Sequence, residues 1–134
     1  MAVEITGTYQ GGLKMEIRHT PSGATQSTAA PVDNRGDGSS FSPTDLVAAA
    51  LGSCAVTTMA IVADREEIPF DGASFSIEKH MRSDPRRIDR LPIRIRMPRG
   101  LTEAQRATLE AAARSCPVEQ SLRTEIERDF VFEY

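Results

Sequence analysis

Two cysteines, Cys54 and Cys116, are the residues of this chain whose chemistry could go beyond packing. Cysteine attacks as its thiolate, so a reactive one needs a helix N-terminus or a cation nearby to favour the anion. Cys116 directly precedes Pro117, and proline suits the first position of a helix. Cys116 is therefore expected to be the N-cap of a short helix over Val118 to Thr124, with free backbone N–H groups beside its sulfur. Cys54 falls about three turns into a long helix, where the helix dipole contributes little, so it needs a cation from elsewhere in the fold. In a reducing compartment both thiols should be free, and a bond between them transient and chemical. The alternative is that both are inert, since free cysteine packs as a small hydrophobe. A zinc site lacks ligand spacing: there is no CxxC or HxxxH, and His19 and His80 are isolated and read as strand residues.

The element that must position Cys54 begins at Ser42-Pro43-Thr44-Asp45, where a capping hydroxyl, a proline and a carboxylate three residues after the cap mark a helix start. The helix is expected to reach about Glu67. Leu46, Val47, Ala50, Leu51, Cys54, Thr58, Ile61 and Val62 recur at three- and four-residue spacing, which predicts one apolar stripe with Cys54 buried on it. Upstream, Val3 to Tyr9 and the alternation of Leu13, Met15 and Ile17 predict a β-hairpin turning at Gly11-Gly12, with a third strand over Ala24 to Ala30. Pro31 to Ser40 reads as an exposed loop, and Gly36-Asp37-Gly38 as a mobile part of it rather than a phosphate loop, since the lysine is missing. Phe41 is a candidate hydrophobic staple and Met59 a core filler.

Downstream, Phe75, Ile77, Lys79 and Met81 alternate with polar residues, as do Ile93, Ile95 and Met97 with Arg94 and Arg96, predicting a second hairpin around an arginine-rich turn. Thr102 and Glu103 open an Ala-rich helix to about Arg114. Ile126, Arg128, Phe130 and Phe132 share one register of a closing strand over Ile126 to Tyr134.

The 134 residues suit one domain, 1–134, and 40% hydrophobic with 26% charged residues is a globular composition. With 16 basic against 19 acidic side chains, the net charge of −3 argues against nucleic acid or an anionic membrane as partner. The N-terminal residues carry no basic and apolar leader pattern, so the cytoplasm is the expected compartment. Leu46 to Ala63, interrupted by Gly52, Ser53, Thr57 and Thr58, reads as a buried helix rather than a membrane span. Between Arg82 and Arg99 stand seven of the 16 basic residues without aromatic partners, which predicts a solvated sheet face or salt bridges.

The run Ser42-Pro43-Thr44-Asp45-Leu46-Val47-Ala48-Ala49-Ala50-Leu51-Gly52-Ser53-Cys54, followed by Cys116-Pro117-Val118-Glu119-Gln120-Ser121-Leu122, resembles the OsmC/Ohr family of thiol-dependent peroxidases. Either motif alone is weak; in this order, 62 residues apart, they are specific. The resemblance implies an α+β fold, the OsmC-like fold, with antiparallel sheets packed around a long central helix in an intertwined homodimer. It implies that Cys54 is the peroxidatic cysteine, oxidised to a sulfenic acid, and that Cys116 resolves it as an intramolecular disulfide, in line with the oxidation ladder of cysteine. A dithiol or lipoyl-type reductant would be the co-substrate, and no metal or other cofactor is implied. The family's well-characterised peroxidases place a glutamate directly after the helix-start proline, paired with an arginine from the first hairpin. Here Thr44 holds that position, leaving Asp45 as the substitute carboxylate, and Arg18, with Lys14, as the candidate cation on one face of the hairpin.

The expected function is thus a cytoplasmic, homodimeric thiol peroxidase acting on organic hydroperoxides, whose alkyl tail gains from an apolar site. The alternative is a non-catalytic protein of the same fold that holds a small apolar or thiol-containing ligand, an option kept open by Thr44.

Overall fold

A computed structural model describes all 134 residues. The chain divides into two compact units, Met1–Leu46 and Val47–Tyr134.

The first unit is an antiparallel meander of β1 (Ile5–Gly11), β2 (Lys14–His19) and β3 (Thr25–Ala29). The β1–β2 register shifts between Tyr9 and Gly11, and Gly11, Gly12 and Leu13 all adopt positive φ to turn the chain. The expected loop after β3 contains one 3-10 turn, Val32–Asn34. It is bonded to the sheet, the Ser40 hydroxyl donating to the Ser27 carbonyl at 3.0 Å, and folded back on itself. The Gly38 N–H bonds the Ala30 carbonyl at 3.3 Å and the Gly36 N–H bonds that of Pro31 at 2.9 Å. A Cβ at Gly36 would sit 1.7 Å from the Ala30 oxygen, so only glycine fits there. Phe41 stays 46% exposed rather than being sealed as a staple, while its carbonyl accepts the Ala29 N–H at 2.9 Å.

Helix α1 (Pro43–Arg65) starts as the sequence predicts. The Ser42 hydroxyl accepts the Asp45 N–H at 3.0 Å, and the Asp45 carboxylate accepts the Ser42 N–H at 2.8 Å, a reciprocal capping box. The helix stops two residues before Glu67 because Glu67 turns left-handed (φ 56°) and buries Ile68 behind it. The Ile68 N–H then bonds the Ala63 carbonyl at 2.8 Å and the Glu67 N–H that of Asp64 at 3.3 Å, a Schellman closure. Its length and apolar composition would suffice to cross a membrane; here its buried face belongs to a protein core.

That core lies in the second unit, where α1, β7 (Ile93–Arg96) and α2 (Glu103–Arg114) contribute the fully buried Leu51, Met59, Ile93, Ile95 and Leu109. Met59 is the core filler expected of it. The buried stripe of α1 is Ala48, Leu51, Ala55, Met59 and Ala63, rotated from the predicted one. Ile61 is consequently 58% exposed, and Cys54 is only half-buried at the edge of the stripe. A helix so rich in alanine offers no sharp apolar face, and close packing then selects whichever face lets neighbours approach. Gly52 shows this directly: a Cβ there would fall 2.3 Å from the Phe75 ring.

β4 (Ser74–Ile77) pairs antiparallel with β7 (Ile93–Arg96), as the alternation predicts, with Phe75 opposite Ile95. The expected strand to Met81 breaks after Ile77, and β5 (His80–Arg82) and β6 (Arg87–Arg90) form a separate two-stranded ribbon. Its arginines are used locally. Arg82 reaches Asp89 at 3.4 Å, and Arg87 donates to the carbonyls of Ser83 and Pro85 at 3.1 and 2.7 Å. β8 (Phe130–Glu133) is shorter than predicted and joins β7 in parallel, so this sheet is mixed rather than wholly antiparallel. A parallel neighbour needs a crossover, and α2 with α3 (Pro117–Ser121) supplies it.

Candidate active site

Cys116 caps α3 as its sequence predicts: its backbone is extended (φ −64°, ψ 153°), Pro117 holds the first helical position, and the side chain is fully buried. The helix ends at Ser121 rather than Thr124, because the Ser121 hydroxyl bonds the Pro117 carbonyl at 2.8 Å and Leu122 returns to extended backbone. Cys54 and Cys116 are both free thiols, with their sulfurs close enough to interact. Burial pushes the Cys116 thiol above its ordinary range, and the bond to Cys54, the charge of Cys54 and that of Glu119 push it the same way. Opposing them, the Glu119 N–H favours the thiolate, although it stops short of a full capping hydrogen bond to the sulfur. The net effect keeps the proton on Cys116. On its other side the Cys54 sulfur lies 3.9 Å from the Thr58 hydroxyl, one helical turn on.

Behind Cys116 stands an ion pair that sequence reasoning did not assign to the site. Arg128 Nε reaches the two Glu119 carboxylate oxygens at 3.0 and 2.8 Å, and Nη2 reaches Oε1 at 2.6 Å. Its Nη1 donates to the carbonyls of Arg123 at 2.7 Å and Ile126 at 2.5 Å. The Arg128 and Glu119 side chains are 14% and 15% exposed, and the carboxylate raises the affinity of the guanidinium for its proton still further. The signal for this pair was present: Arg128 shares the inward register with Ile126, Phe130 and Phe132, and a cation on an apolar face demands a partner.

The three candidate tuning residues lie in the first unit, each with local commitments. Lys14 pairs with Asp37 at 3.0 Å. Bonds from Ser39 and Lys14 hold the Asp37 carboxyl down at about 2. Asp45 receives the Ser42 N–H described above. Arg18 is exposed on β2, its guanidinium over the turn at Gly23, where an added Cβ would come within 3.2 Å of Nη2. A surface cleft of about 340 Å³ in the second unit, lined by Ile77, Arg90, Pro92 and Val131 among others, contains neither cysteine.

Chemically, two free thiols in contact, one held protonated at a helix N-cap, form a pair able to give up two electrons and two protons as a disulfide. The fold carrying them is a known one. Residues 36–130 match the OsmC family, described as OsmC-like protein. A proposed osmotic stress induced and detoxification response protein from Psychrobacter arcticus is 34% identical, with 99% of this chain and 97% of that one covered and a TM-score of 0.93. This chain belongs to the OsmC family, the OsmC/Ohr group. Two solved structures at 17% identity share its fold. The Legionella pneumophila organic hydroperoxide resistance protein OsmC has a TM-score of 0.81 over 100% of this chain and 98% of that one. The Bacillus subtilis organic hydroperoxide resistance protein OhrB has a TM-score of 0.70 over 99% and 98%. No curated protein sequence matches the chain.

Proposed function

We propose that this chain is a thiol-dependent peroxidase of organic hydroperoxides acting in the reducing cytoplasm. The observation that carries the reading is the contact between the Cys116 thiol and the Cys54 sulfur; the organic hydroperoxide resistance proteins that share the fold support the choice of substrate. The half-buried Cys54 thiolate attacks a peroxide oxygen, the O–O bond breaks, and the alcohol leaves with a proton, giving a Cys54 sulfenic acid. Cys116 then attacks the Cys54 sulfur, and the sulfenic hydroxyl departs with the Cys116 proton as water. A dithiol or lipoyl-type reductant opens the disulfide by two exchange steps. Arg18 is the first candidate to favour the Cys54 thiolate, with Lys14 behind it because its charge already pairs with Asp37, and Asp45 is the candidate carboxylate to hold the cation. A homodimer fits the apolar side chains left in solvent, among them Ile5 at 64%, Tyr9 at 61% and Ile61 at 58% exposed.

The test is consumption of an alkyl hydroperoxide with excess dithiol. Multiple turnovers by the wild type, abolished in Cys54→Ser and quickly lost in Cys116→Ser, are expected. No turnover by a folded wild type with two free thiols would move the assignment to a binding protein, a reading favoured by Thr44 in place of the family's glutamate.

A further inference from the structure

Helix α3 has five residues, too short to hold its own orientation in water. Yet it carries Cys116, and disulfide closure tolerates little error in the placement of the two sulfurs. Something must hold it. Glu119 lies in the first turn of α3, three residues after Cys116, and its carboxylate is gripped by Arg128 through three N–O contacts of 2.6 to 3.0 Å. The same guanidinium bonds the carbonyls of Arg123 and Ile126, so one side chain ties α3 to the segment leading into β8. At 14% and 15% exposure the pair is shielded from the water that makes surface ion pairs weak. A planar fork satisfied on several N–H groups at once is a geometric lock as well as a charge partner.

We infer that the Glu119–Arg128 ion pair is the positioning device of the cysteine pair, fixing α3 so that the Cys116 sulfur is presented to Cys54 for disulfide closure. The inference rests on the redox reading of the two cysteines, though not on peroxide as the oxidant. The charged and titratable groups acting on Cys116 are Cys54 from α1 and Glu119 from α3, with Arg128 neutralising Glu119.

The experiment poises the purified full chain in dithiothreitol buffers of varied oxidised-to-reduced ratio. Protein thiols pass two electrons and two protons to oxidised dithiothreitol, and the Cys54–Cys116 disulfide is counted by mass after acid quenching. The wild type is expected to close the bond. Glu119→Gln and Arg128→Met should lower the closure equilibrium on the order of tenfold to a hundredfold, because a loosened α3 lowers the effective concentration of one thiol at the other. Arg128→Lys, which keeps charge without the fork, should fall between. Circular dichroism checks folding; should Arg128→Met not fold, the nearly isosteric Glu119→Gln decides.

A second readout separates positioning from general loosening. In a Cys54→Ser background, thiolate absorbance should show the Cys116 titration moved down by Glu119→Gln and up by Arg128→Met, which leaves the Glu119 charge unopposed. Loosening alone would expose the thiol and move both downward. Equal closure in wild type, Glu119→Gln and Arg128→Met overturns the inference, whatever the peroxide assay gives. A wild type that closes no intramolecular bond overturns it as well. Closure that depends on Glu119 and Arg128 without peroxide turnover supports it and sinks only the peroxidase reading.

Discussion

The sulfur of Cys116, at the N-cap of α3, lies against that of Cys54 on α1, 62 positions earlier in the chain. The two sulfurs thus differ in environment. One is fully buried with its proton retained; the other is half-buried at the margin of the core stripe. That asymmetry supports the roles proposed above, attack on a substrate by Cys54 and resolution by Cys116.

If Arg18 favours the Cys54 thiolate, Arg18→Met should slow alkylation of Cys54 in the folded protein roughly tenfold, because the thiolate is the attacking form. Lys14→Met should do less, because Lys14 is already paired with Asp37. Asp45→Asn should chiefly weaken the start of α1, at about 1 kcal/mol in thermal unfolding. Equal rates in wild type and Arg18→Met would remove Arg18 from the site.

Gly52→Ala drives a methyl group into the Phe75 ring at 2.3 Å, and overpacking of this kind costs about 1–3 kcal/mol. Urea unfolding should show the loss, and Phe75→Leu should recover part of it by vacating the contact. Additive losses in the double variant would mean that the ring is not what excludes the methyl group.

The Tyr134 phenol is pushed up to about 12 by burial first, then by its hydrogen bond to Glu110 and the charge there, with Arg106 pulling the other way. The Arg106 guanidinium sits 4.0 Å over the same ring. Because the neutral phenol is the favoured form, this contribution to stability is complete below pH 10 and is lost as pH rises through about 12. Phenolate absorbance should place the Tyr134 transition near there, and Glu110→Gln should lower it. A Tyr134 transition at the ordinary tyrosine value, unmoved in Glu110→Gln, would contradict the contact.

Local signals carried much of this structure. The cap at Ser42 and Asp45 and the Thr102 cap of α2, whose box is completed by Gln105, depend on side chains within three residues of the bond they make, and the start of α3 depends on Pro117 at its first position. What failed depends on partners distant in sequence. The buried face of α1 departs from the predicted stripe because alanines on every side leave the choice to Phe75 and the rest of the core. The parallel pairing of β8 with β7 is set by the crossover through α2 and α3, which no strand pattern encodes. For the same reason only the resemblance pairs the two cysteines, and the Glu119–Arg128 ion pair is signalled in the sequence only by a cation on the apolar register of Ile126, Phe130 and Phe132.

The most direct test of the redox pair is intact-mass analysis after one equivalent of an alkyl hydroperoxide, without reductant. The wild type should lose the mass of two hydrogens, with the Cys54–Cys116 bond found by peptide mapping, whereas Cys116→Ser should gain oxygen on Cys54 alone. A wild type that keeps both thiols, or adds oxygen without forming the bond, would contradict the account.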